Sequence, residues 1–159
     1  MLIYHFGSRE GLLVAVVEEL ERRNAELLET VTAPDDVPLR EVAWQFWSHV
    51  ADTAHVYGPL FFELASHAML QRADTEALSG SNLDVWLDTL TRLWTRAGLD
   101  PTDARVRARL NLAVARGLLH DLLLTDDREA VDRAMADFAD IALDPITRVV
   151  RDPEVPPRR

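Results

Sequence analysis

The side chains best suited to metal or proton chemistry in this sequence are its five histidines, His5, His49, His55, His67 and His120. No two of them stand four residues apart on one helical face, the spacing that would let a pair share a metal ion. Glu63 and His67 do have that i, i+4 relation, but no third ligand accompanies them. The chain has no cysteine, so thiol and disulfide chemistry are excluded. A glycine-rich phosphate loop, a nucleophile elbow and a paired-carboxylate constellation are all missing. The expectation is a protein that is not an enzyme and that uses no metal or cofactor.

The aromatic residues say more. Trp44, Phe46, Trp47, Tyr57, Phe61, Phe62, Trp86 and Trp94 cluster in the middle of the chain. Phe46 and Phe61 sit on the main helical stripes, where core packing accounts for them. Trp44, Trp47, Phe62 and Met69 fall off those stripes, and the walls of a cavity account for them equally well. Ligand pockets are mostly apolar and aromatic, with a few polar groups that fix orientation. A pocket walled by Trp44, Trp47, Phe62, Met69, Trp86 and Leu90 is therefore expected. His67, Asn111 or His120 would supply the orienting hydrogen bond, since a neutral histidine both donates and accepts; His49 and Arg116 are further polar candidates.

These residues must be positioned by helices. Strand-type alternation is missing, and Pro/Gly clusters divide a sequence rich in alanine, leucine and arginine. The first helix is expected from about Ser8, a good cap, to Thr30, with Leu13, Val16, Val17, Leu20, Leu27 and Val31 in one stripe. The second begins near Pro38 and ends or bends at Gly58-Pro59. A short third helix, about Leu60 to Arg72, follows it. The fourth, about Asn82 to Ala97, carries Trp86, Leu87, Leu90, Leu93 and Trp94 on its stripe, with Gly98 as its C-terminal cap. Asp100-Pro101 starts the fifth, which runs to about Thr125 and is apolar nearly all round from Leu118 to Leu124. Asp126 and Glu129 read as a capping box for the last helix, whose end is interrupted by Pro145. So short a connection makes the last two helices an antiparallel pair. The fold class is all-α, with about six helices.

The stretch Ile3-Tyr4-His5-Phe6-Gly7-Ser8-Arg9-Glu10-Gly11-Leu12-Leu13 resembles the end of the DNA-binding domain of TetR-family (TetR/AcrR) transcriptional regulators. There a helix-turn-helix recognition helix ends in a Tyr-x-His-Phe-like run, and a small turn and a basic residue lead into a long connecting helix. Ile3 departs from the pattern, standing where the family usually has a tyrosine. The resemblance implies DNA-backbone contacts from Tyr4, His5 and Arg9. It also implies that residues 1–7 are the remnant of that domain, and that its first two helices and most of its recognition helix would precede Met1 in a longer protein.

By the same resemblance, residues 8–150 would form a helical ligand-binding and dimerisation domain, followed by a disordered tail at 151–159. Leu118, Leu119, Leu122, Leu123, Val131, Met135 and Phe138 of the last two helices would make the dimer interface. The implied function is a ligand-responsive repressor, cytoplasmic and homodimeric. Its effector would be a small apolar molecule, and it would bind operator DNA only as the intact protein. The alternative is a helical protein–protein interaction module without a ligand.

Composition agrees with a globular domain of 159 residues, 48% hydrophobic and 28% charged. No apolar run approaches the roughly 20 residues needed to cross a bilayer, so no membrane partner is expected. The net charge of -10 opposes nucleic-acid binding, which calls for a basic surface. This chain is therefore expected not to bind DNA specifically. A fluorescence titration against its upstream promoter region should show no salt-resistant, sequence-dependent complex; a sub-micromolar one would contradict the expectation.

Overall fold

The computed structural model describes residues 9–32, 37–70 and 81–151, and every element among them is an α-helix. These are α1 (Arg9–Thr32), α2 (Leu39–Met69), α3 (Ser81–Arg96), α4 (Pro101–Thr125) and α5 (Arg128–Arg151). The all-α expectation holds, with five helices among the described residues instead of six. None of them is long and apolar enough to cross a membrane. The expected cap Ser8, residues 1–7 and residues 152–159 of the expected tail lie outside the described residues.

The difference in number comes from Gly58-Pro59. Proline in a helix interior removes one backbone hydrogen bond and costs about 3 kcal/mol, yet α2 continues through Pro59 to Met69. Its buried face does not stop there: Ala54 and Gly58 lie on one side of the proline and Leu64 on the other, while Pro59 itself is exposed. Burial of that continuous face outweighs the local cost. Gly58 has its own reason, because α4 passes so close that an added Cβ would lie 2.7 Å from Leu123 Cδ1. In the same way, α5 runs on through Pro145 to Arg151.

Two caps follow their chemistry. Asp100 accepts from the backbone N–H groups of Thr102 (2.9 Å) and Asp103 (3.2 Å), with Pro101 in the first turn of α4. The Asp103 and Thr102 amides hold its carboxyl below the usual aspartate range. Gly98 takes φ +99°, the left-handed conformation expected of a helix-ending glycine. The expected capping box at Asp126 is displaced by one residue. Asp126 closes α4 in a left-handed conformation, φ 56°, and the side chain of Asp127 instead accepts from Ala130 N–H at 3.0 Å. The two-residue connection needs one residue to turn the chain and another to cap, so Asp126 cannot do both.

Packing produces three apolar clusters. α3 and α4 form the closest helix pair, and the largest cluster centres on Trp86, Leu87, Leu90, Leu93 and Trp94 with Ala104 and Ala108. A second joins Trp47, Ala51 and Ala54 of α2 to Leu122, Val131 and Met135 of the α4–α5 pair. The third holds Val14 and Val17 of α1 against Leu64 of α2. On α1 the buried line is Val14, Val17, Ala25 and Leu28, whereas Val16 of the expected stripe is exposed.

Candidate functional site

An apolar cavity of about 80 Å³ lies where all five helices meet. Leu28 comes from α1, Phe46, Trp47 and Val50 from α2, and Trp86, Leu90 and Trp94 from α3. Asn111 and Ala115 of α4 and Met135 and Phe138 of α5 close it. Phe46 and Trp86 meet as tilted rings with centroids 5.6 Å apart. The arrangement can enclose an apolar group and offers it few polar contacts. Asn111 brings the only side-chain amide to the wall, and it makes no hydrogen bond among the described residues.

Four of the nine expected pocket residues, Trp47, Trp86, Leu90 and Asn111, are brought together here. The other five are elsewhere. Trp44, 42% exposed, lines an open groove of about 550 Å³ between the start of α2 and α5. That groove shares Ala43, Met135 and Ala139 with the inner cavity, so one thin wall separates them. Phe62 and His120 meet edge to face, centroids 5.2 Å apart, away from the cavity lining. His67 is half-buried, and Met69 is 78% exposed at the end of α2.

The reason is the unbroken α2. Phe62 lies 15 residues beyond Trp47, about 22 Å along a straight helix axis at 1.5 Å per residue. A helix folded back at Gly58 would return Phe62, His67 and Met69 towards the indoles; a continuous one carries them past. Phe46, Trp94, Met135 and Phe138 are lining residues that the sequence argument assigned to core or interface. The stripe containing Trp86, Leu90 and Trp94 was the signal available for Trp94, since all three share one face of α3.

The residues expected at a dimer interface all make contacts within the one chain, three of them buried and four half-buried. Leu122, Val131 and Met135 are buried against α2, and Leu118, Leu119, Leu123 and Phe138 pack on the same cluster within the one chain. An apolar stretch needs cover on every side, and here α2 supplies much of it. The exposed side of the pair carries Leu110, Ala113, Gly117 and Leu124 on α4 with Ala130, Ala134 and Ile141 on α5. Tyr4 and His5 lie outside the described residues, as does the side chain of Arg9.

A polar clamp sets the cavity's α2 wall. Trp47 donates its indole Nε1–H to Asp132 Oδ1 at 2.7 Å. Arg128 Nε bonds both oxygens of Asp132 at 2.8 Å, and its Nη1 reaches Asp52 Oδ1 at 2.5 Å. Burial works to lower the Arg128 pKa, but the hydrogen bonds it donates to Asp52 and Asp132 outweigh it and hold the guanidinium above its usual value. His55 Nε2 lies 3.3 Å from Asp126 Oδ1 near the same turn. Among the described residues, no three acidic or histidine side chains converge as a metal site.

Compared with known proteins, the chain matches no family model, no curated protein and no solved structure.

Removing the clamp's central carboxylate leaves the Trp47 N–H buried without a partner. Asp132→Ala is expected to destabilise the fold by about 2 kcal/mol, read by urea unfolding with tryptophan emission. A change under about 0.5 kcal/mol would mean that apolar packing alone holds Trp47 in place.

Proposed function

We propose that this chain is the effector-binding and dimerisation part of a TetR-like transcriptional regulator, a repressor that releases operator DNA when a small apolar molecule occupies the cavity. One observation carries this reading: Leu28 of α1, the helix that would connect to the DNA-binding head, lies in the wall of the same apolar cavity as Trp47, Trp86 and Trp94. A molecule entering the cavity therefore presses directly on α1. Polar ties from α1 to the bundle are few and long-range: Glu29 pairs with Arg92 of α3, and Asn24 donates to Tyr57 of α2 at 3.4 Å. Apolar packing of Val14, Val17 and Leu28 makes up most of the rest of its attachment, so a shift of α1 is felt in the core. The effector shifts the equilibrium only as far as it prefers the shifted state, and Tyr4, His5 and Arg9 are the DNA-backbone contacts proposed for the head.

The cavity's small size favours a second reading, in which the chain is a helical interaction module and the aromatic cluster is core. About 80 Å³ is roughly half the volume of an engineered cavity that takes up benzene. The proposed effector is therefore no larger than a single substituted ring, and the cavity has to widen by about its own volume to admit it. A thermal-shift screen of neutral one-ring compounds separates the readings. Binding should quench tryptophan emission and stabilise the fold by about 2.7 kcal/mol at a hundredfold excess over Kd. An absence of hits would leave the interaction module.

The homodimer belongs to the same proposal, now through the exposed side of α4 and α5. A glycine inside a helix costs about 0.5–1 kcal/mol relative to alanine, and an added Cβ on Gly117 would meet nothing within 4 Å in this chain. Close approach of α4 from a second copy would account for it, with Leu110, Ala113, Leu124 and Ile141 around it. Light scattering at tens of micromolar should give twice the chain mass, and Gly117→Arg should reduce it to that of one chain. A wild-type monomer at that concentration would rule the dimer out.

A further inference from the structure

Trp94 is 4% exposed and lines the cavity, and its indole Nε1–H is the one buried side-chain polar atom without a hydrogen-bond partner among the described residues. The neighbouring case shows what is missing: the equally buried Trp47 has its N–H satisfied by Asp132. Leaving such a donor unpaired in an apolar interior costs about 1–3 kcal/mol, and native structures leave few. Phenylalanine or leucine would fill the position without that cost. The Arg107 guanidinium lies over the Trp94 ring, 6.0 Å from its centroid, so the ring face has a partner while the N–H on its edge has none.

We propose, resting on the ligand-sensing reading above, that the cavity's occupant is a neutral single-ring molecule bearing one hydrogen-bond acceptor, which takes the Trp94 Nε1–H. The acceptor follows from the indole, which can donate but cannot accept. Neutrality follows from the wall. The residues that line the cavity include no Asp, Glu, Lys, Arg or His, and an ion taken into such a site would lose its hydration without a counter-charge. Asn111 can both donate and accept, so it tolerates a second polar substituent without selecting its sign. A nitrile, carbonyl or ether oxygen meets the requirement; a carboxylate, an ammonium group or a bare hydrocarbon does not.

The test compares benzonitrile with phenylacetylene, which have nearly the same shape and differ in the acceptor nitrogen. Titrations follow tryptophan emission and melting temperature, in the wild type and in a variant with 3-benzothienylalanine at position 94. That substitution keeps the fused ring and replaces N–H by sulfur. Wild type should prefer benzonitrile, and the variant should lose that preference by about fivefold or more while phenylacetylene affinity changes less than about twofold. Asn111→Leu serves as the second variant and should leave the preference in place. An unchanged preference at position 94, or its loss in Asn111→Leu alone, would overturn the Trp94 assignment while leaving the ligand-sensing reading intact. Failure of both compounds to bind wild type, under conditions where it is folded, would overturn the two together.

Discussion

A helix of 31 residues that must be covered along most of its length sets the terms for the other four. α2 meets α1, α4 and α5, and its buried residues run from Val42 to Leu64. Apolar contact supplies the free energy for this, but it is non-directional and would tolerate sliding and rotation. The clamp of Trp47, Asp132, Arg128 and Asp52 removes that freedom. Each member needs the others: the indole N–H is buried, Asp132 has charge to neutralise, and Arg128 uses both carboxylates. Gly58 then leaves room between α2 and α4 for the Leu123 side chain, which occupies the space where a Cβ would be.

That arrangement ties the helices together in two ways, by polar groups and by apolar packing. The clamp joins α2 to α5, the second apolar cluster joins both to α4, and α3 is closely packed on α4. α1 packs on α2 and α3 through buried Val14, Val17, Ala25 and Leu28, with side-chain polar contacts such as Glu29 to Arg92 beside them. Exposed ion pairs such as those of Glu19 with Arg22 and Arg23 stay within α1 and tie it to nothing else. In the proposed regulator, a ligand that enlarges the cavity would act on α1 through Leu28, which lies in the cavity wall. The cavity wall is apolar and uncharged, and one of its residues, Trp94, keeps an indole N–H without a partner.

Much of this could be read from residue types and spacing. The all-helical class, the boundaries of α1, α3 and α4, the capping by Asp100 and the left-handed turn at Gly98 are local consequences of side-chain chemistry. A helical stripe, a cap or a φ preference involves residues a few positions apart, so the chain order contains the answer. Trp86 and Leu90 were recognisable as wall residues because they stand on the same face of one helix. Trp94 shares that face, but its unpaired N–H could not be foreseen, as it depends on which groups from other helices fail to reach it.

Three features depended on tertiary structure. Pro59 breaks an isolated helix, yet here burial on both sides of it is worth more than the lost hydrogen bond, so the expected second and third helices are one and Phe62, His67 and Met69 move away from the cavity. Leu118 to Leu124 is apolar all round in any fold; only the position of α2 decides which of these leucines are covered within the chain and which side remains for a neighbour. The orphan indole is the third case. The sequence by itself determined the helices, their caps and their apolar faces, because those depend on neighbours along the chain. The tertiary structure decided which faces meet, which donor lacks a partner and where a cavity remains, because those depend on distances between residues far apart in the chain.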